Sequence, residues 1–123
     1  MENGSRFAAV VAAEPSNGLI HLHGELDGAT APILTEAAEQ VMQAGSRHLT
    51  MDCTRLEFCD SRGLRALVAI CHQLGDDGSV TLSEPSEWIR KVLSMTMLDT
   101  LLRVVPEAPT PASPTPDVAP SEV

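Results

Sequence analysis

The sequence predicts an α/β fold: a single domain in which a mixed sheet of four to five strands packs against helices. Three observations carry that expectation. Runs with period-two hydrophobicity alternate with runs of period 3.6, the order produced by strands joined through helices. The first two apolar runs are instead separated by a short turn, so the sheet opens with an antiparallel hairpin and is mixed. The chain, at 123 residues, has room for one core.

The elements follow in order. Residues 1–6 are polar. Phe7 to Ala13 reads as a first strand, stopped by the turn Glu14-Pro15-Ser16-Asn17-Gly18. Leu19 to His23 reads as a second, with Ile20 and Leu22 on one face and Leu19, His21 and His23 on the other. Gly24 to Ala29 is expected as a loop bearing two carboxylates, Glu25 and Asp27. Thr30 is expected to cap the helix that follows, in which Pro32 is tolerated in the first turn. Leu34, Ala37, Ala38, Val41 and Met42 form its apolar stripe, and Gly45 closes it. His48 to Cys53 alternates as a third strand, with Leu49, Met51 and Cys53 on one side.

The central stretch is Leu56 to Leu74. It opens with a short apolar run, turns at Asp60-Ser61-Arg62-Gly63 and continues as an amphipathic helix. Leu64, Leu67, Val68, Cys71 and Leu74 recur at intervals of three and four and are expected to line the buried face. Arg62, Arg65, Ala69, His72 and Gln73 fall on the other. Asp60 or Ser61 can cap the first turn, because a short side-chain oxygen there accepts from an unpaired backbone N–H. Gly75 suits the C-terminal end. A turn and a short strand, Val80 to Ser83, come next. Ser86 caps a last helix, with Glu87 placed favourably against its dipole and Ile89, Val92, Leu93 and Thr96 facing inward. Leu101 to Val105 is a last strand or an extension of the turn before it. From Pro106 the composition changes to proline alternating with small and acidic residues, which predicts a disordered tail over 106–123 behind a domain of 1–105.

Composition narrows the function. The formal charge is −9, which argues against phosphate-backbone recognition of nucleic acid and against adhesion to anionic membrane, both of which need a basic surface. No apolar run reaches membrane-spanning length, and no basic segment followed by an apolar stretch opens the chain, so a cytoplasmic protein is expected. Three cysteines, Cys53, Cys59 and Cys71, make no even disulfide framework. They read as reduced thiols, with Cys59, beside Asp60, the one expected at the surface. Aromatics are restricted to Phe7, Phe58 and Trp88, so Leu, Val, Ile, Ala and Met must build the core.

Few residues offer chemistry. Ser61 lacks the G-x-S-x-G elbow and an evident histidine partner, which argues against a nucleophile and leaves the helix cap. His21 and His23 share a strand face at a metal-compatible spacing, but no further ligand is assured beside them. There is no glycine-rich phosphate loop. Arg62 and Arg65, three apart, project from adjacent turns of the exposed helix face.

The run F-C-D-S-R-G-L, residues 58–64, resembles the aspartate-serine-(serine or threonine)-glycine-leucine signature of STAS domains, and among them the free-standing anti-sigma factor antagonists of bacteria. Gly24-Glu25-Leu26-Asp27 followed by Ala29-Thr30-Ala31-Pro32 resembles the family's second signature, which ends a strand and starts a helix. Val92-Leu93 through Leu98-Asp99 and Leu101-Leu102 to Val105 resemble its closing helix and last strand. Arg62 departs from the usual serine or threonine, and Met97 stands where a glycine commonly ends the last helix. The resemblance implies that Ser61 is the phosphorylated serine. It implies that the loops carrying Glu25, Asp27 and Asp60 meet. It implies a partner surface made of Glu25, Asp27, Thr30, Asp60, Ser61, Arg62, Gly63 and Arg65. The implied partner is an anti-sigma factor with a histidine-kinase-like ATPase fold, a serine kinase, opposed by a serine phosphatase. No enzymatic activity, cofactor or metal is implied. The alternative within the family is a STAS scaffold or accessory subunit of a transport or signalling complex, in which Ser61 is only a cap.

Overall fold

The computed structural model describes residues 7–106; the residues 1–6 and 107–123, with nearly all of the expected tail, lie outside them. The elements are β1 (Phe7–Val11), β2 (Leu19–Leu26), α1 (Ala31–Gln43), β3 (His48–Cys59), α2 (Ser61–Leu74), β4 (Ser79–Ser83), α3 (Glu87–Met95) and β5 (Arg103–Val105). The five strands form one sheet in the order β1-β2-β3-β4-β5. The β1–β2 hairpin is antiparallel, and every later pair is parallel.

That order has a consequence for layering. Each crossover after β2 advances the chain by one strand in the same direction, and right-handed crossovers of this kind deliver their helices to one face. In agreement, α1 packs on β1, β2 and α2, while α2 packs on β3 and β4. The core lies between this helical layer and the sheet. Ile20, Leu22, Leu26, Leu49, Met51, Val80 and Leu82 fill it from the strands; Leu34, Val41, Leu67, Ile70 and Leu93 fill it from the helices. The strand residues between those inward positions lie on the opposite face. There His21 Nδ1 and Asp52 Oδ2, opposite one another in register, are 2.7 Å apart.

Two strands outrun their expected lengths. β2 continues through Gly24-Glu25-Leu26, a stretch expected as loop, and β3 absorbs Thr54 to Cys59. Both extensions come from parallel pairing of the two strands as far as Leu26 with Cys59, across two irregularities in register. The buried positions of β3 change from every second residue, up to Cys53, to every third, at Leu56 and Cys59. An irregular strand of this kind loses the period-two signal that would announce it.

The buried face of α2 is rotated from its expected setting. Gly63, Leu64, Leu67, Ile70 and Leu74 are buried, while Val68 and Cys71 are half-buried. Ile70 and Gly63, which the expected stripe leaves out, lie on its other flank; Gly63 has no side chain to mark it, but Ile70 is fully apolar. In α3, Ile89 and Leu93 are buried as expected, but Thr96 is exposed and its hydroxyl donates to the Val92 carbonyl at 2.7 Å. Cys59 also departs from expectation. It is 4% exposed, and burial pushes its thiol up to about 12, with the neighbouring Asp60 charge adding to the effect. Met97, directly after α3, adopts a left-handed conformation with φ 62°, the conformation that favours glycine at a helix end.

Candidate functional site

Because β2 and β3 run parallel, both end at the same edge of the sheet, and the segments that follow them meet there. The Asp60 N–H donates to the Leu26 carbonyl at 3.1 Å, which ties the start of α2 to the end of β2. Gly63 makes the approach feasible. A Cβ on it would lie 2.7 Å from the Leu26 carbonyl oxygen and 3.0 Å from Cys59 Sγ.

The segment between β2 and α1 is held by its own side chains. Asp27 Oδ1 accepts from the Ala29 and Thr30 amides at 2.9 and 3.0 Å. The Thr30 hydroxyl donates to the Glu25 carbonyl at 2.9 Å and accepts from the Asp27 amide at the same distance. Thr30 occupies the N-cap position of α1 but makes no side-chain cap, contrary to expectation, because its hydroxyl is turned back into the loop. It is 6% exposed. Thr30 and Gly63 are therefore buried ties within the site. Of the expected partner surface, they shape it without themselves presenting side chains to it.

The start of α2 resolves which residue caps. Asp60 Oδ1 accepts from the backbone amides of Arg62 and Gly63, each at 3.0 Å. Ser61 is the first residue of α2 and is exposed, and its hydroxyl makes no hydrogen bond among the described residues. Capping thus accounts for Asp60 and leaves Ser61 without a structural task.

Arg62 has two neighbours, although its side chain is 69% exposed. Its Nη2 lies 3.7 Å from Asp60 Oδ2. Its stem runs against Gly28, where a Cβ would lie 2.9 Å from Arg62 Cδ and 3.2 Å from Nε. Gly28 was not singled out in the sequence. Nothing local marks it, because the residue it makes room for lies 34 positions further along the chain. Arg65 is exposed on the next turn and forms no ion pair among the described residues.

Glu25 lies near the end of β2 and Asp27 just after it, and Asp60 follows the end of β3, which pairs with the end of β2. Among the described residues, no group of three or more His, Cys, Asp or Glu side chains is placed to hold a metal ion. His21 is committed to Asp52 on the sheet face. At Asp52, burial alone acts to raise the carboxyl. Hydrogen bonds from the Thr54 side chain, His21 and the Thr54 backbone outweigh it and hold the group below its ordinary value. No described helix is long and apolar enough to cross a membrane.

The family model described as "Mlab, STAS domain" matches residues 9–105. No curated protein matches the chain. Several solved structures are similar. An anti-sigma factor antagonist from Mycobacterium paratuberculosis superposes with a TM-score of 0.71 at 25% identity, over 86% of this chain and 91% of that one. The Bacillus cell fate determinant SpoIIAA in its phosphorylated form gives a TM-score of 0.57 at 20% identity, over 80% and 90%. Unphosphorylated SpoIIAA, an anti-sigma factor antagonist, gives 0.62 at 19% identity, over 80% and 87%. At those two identities the likeness is one of fold.

Proposed function

The chain belongs to the STAS-domain family, and from that premise we propose that it is an anti-sigma factor antagonist switched by phosphorylation of Ser61. Its partner is an anti-sigma factor with a histidine-kinase-like ATPase fold, which acts as the serine kinase, and a serine phosphatase restores the binding form. The observation that carries this reading is the division of labour at the start of α2. Asp60 satisfies the helix amides, so the exposed Ser61 hydroxyl is available for transfer of a phosphoryl group without loss of the cap. The similar Mycobacterium protein, an anti-sigma factor antagonist, supports the general role.

The switch acts at the interface. A phosphate brings about −1.5 to −2 charges. Asp60 already occupies two amides of the first turn, so the phosphate meets a carboxylate there as well as the helix dipole. Against an acidic or closely packed partner surface, unit charges about 5 Å apart at an effective dielectric near 20 repel by roughly 3 kcal/mol. That corresponds to about a hundredfold in affinity.

The test is incubation with ATP and the host's anti-sigma kinases, followed by mass spectrometry. Phosphate on Ser61, weak binding of Ser61→Asp and retained binding of Ser61→Ala are expected. Phosphate on another residue, or on none, overturns the switch. Binding of an unmodified chain to a transport or signalling complex would establish the scaffold role in its place.

A further inference from the structure

We infer that Arg65 is the counter-ion of phosphorylated Ser61, so that modification withdraws a positive charge from the surface as well as adding a negative one. The inference rests on the reading of Ser61 as phosphoacceptor and deepens it by naming what the phosphate does to the chain's own side chains.

Ser61 and Arg65 are four residues apart within α2, both exposed. Residues at that spacing stand one above the other on a helix, and an anion preceding a cation is the favourable order. Arg62 is nearer in sequence but worse placed. Adjacent helical residues do not face each other, and its guanidinium already lies 3.7 Å from the Asp60 carboxylate. Arg65 has no such commitment: it forms no ion pair among the described residues.

The remaining charges near the site are acidic. Asp60 stands at the head of the same helix, Glu25 lies near the end of β2, and Asp27 follows it in the segment leading to α1. A dianion on Ser61 therefore has the Asp60 carboxylate at the head of its own helix and one uncommitted guanidinium a turn further on. The planar guanidinium fork matches phosphate oxygens in pairs, which a point charge does not. Before modification Arg65 projects into solvent beside Ser61, free to meet an acidic group of the partner. After modification it turns back on the phosphate.

The experiment uses the full chain with phosphoserine incorporated at position 61 during translation, so that no kinase is required. Phosphorus NMR then follows titration of the phosphate, whose second pKa is ordinarily about 6. Replacing Arg65 by Gln should raise that pKa by about half a unit, the scale of an exposed ion pair. Replacing Arg62 by Gln should move it much less, and Arg65→Lys should recover part of the shift. Circular dichroism should be the same for all variants. Equal titration in the wild-type and Arg65→Gln chains, or a larger shift for Arg62→Gln, overturns the pairing. Failure of host kinases to modify Ser61 would overturn the phosphoacceptor reading and leave this result standing on its own.

Discussion

Gly63 on α2 rests against the backbone carbonyl of Leu26 at the end of β2, so close that a single added Cβ would sit 2.7 Å from the oxygen. The same carbonyl accepts the Asp60 amide. One oxygen thus locates both the cap of α2 and its first turn, and with them the position of Ser61.

Gly63→Ala should accordingly destabilise the fold. Alanine gains about 1 kcal/mol over glycine in a helix interior. Overpacking against backbone costs about 1–3 kcal/mol, and the nearest atom here belongs to the backbone and cannot swing away. A fall in the urea midpoint is expected. An unchanged or higher midpoint would mean that α2 slides to make room.

Asp60→Ala and Ser61→Ala should differ. Loss of the cap costs about 0.5–2 kcal/mol, whereas an exposed serine that makes no hydrogen bond should change stability by less than about 0.5 kcal/mol. Chemical denaturation of the two variants side by side decides this. Equal losses would return Ser61 to the role of cap.

Leu67 is 1% exposed at the centre of the buried face of α2. Leu67→Ala should cost about 2–5 kcal/mol. Val68→Ala, on the flank, should cost clearly less. The same denaturation measurement separates the two, and a reversed order would mean that the buried face of α2 is misplaced.

Asp52 gives the chain a defined acid response. Its carboxyl is held below the ordinary 3.8 by Thr54 and His21 against the opposing effect of burial. A depressed folded value means that the charged group stabilises the fold above the unfolded value, and that this contribution is lost as pH falls through the folded one. Asp52→Asn should lower stability near neutrality and flatten the fall below about pH 4. Parallel curves for the two proteins across that range would show that the charge on Asp52 contributes nothing to stability.

Thiol chemistry offers a check on packing. Cys53 and Cys59 are both pushed up to about 12, chiefly by burial, so neither forms thiolate at pH 8. Cys71 is half-buried, with Sγ 3.4 Å from the Leu101 carbonyl. Brief maleimide treatment of the native protein should modify Cys71 and spare the others, as read by peptide mapping. Rapid modification of Cys59 would show that the junction of β3 and α2 opens.

The order of strands and helices, the mixed sheet and the helix beginning at Ser61 follow from local features: hydrophobic period, turn residues and short oxygens before a helix. These depend on neighbours within a turn or two, so the amino-acid sequence alone is enough to specify them. Met97 does not belong here: only the family resemblance marked its position, and nothing local in the chain announces its left-handed conformation. What only the tertiary structure decided involves residues distant in the chain. Parallel pairing extended β2 and β3 beyond their period-two signal and buried Cys59. Packing on the sheet set α2 with Ile70 and Gly63 inward, two residues that the expected stripe leaves out. The choice of Asp60 over Ser61 as cap and the fit of Arg62 to Gly28 depend on where two chain segments converge in space. No local pattern encodes that convergence, because its cause is the backbone contact between Leu26 and the residues that begin α2.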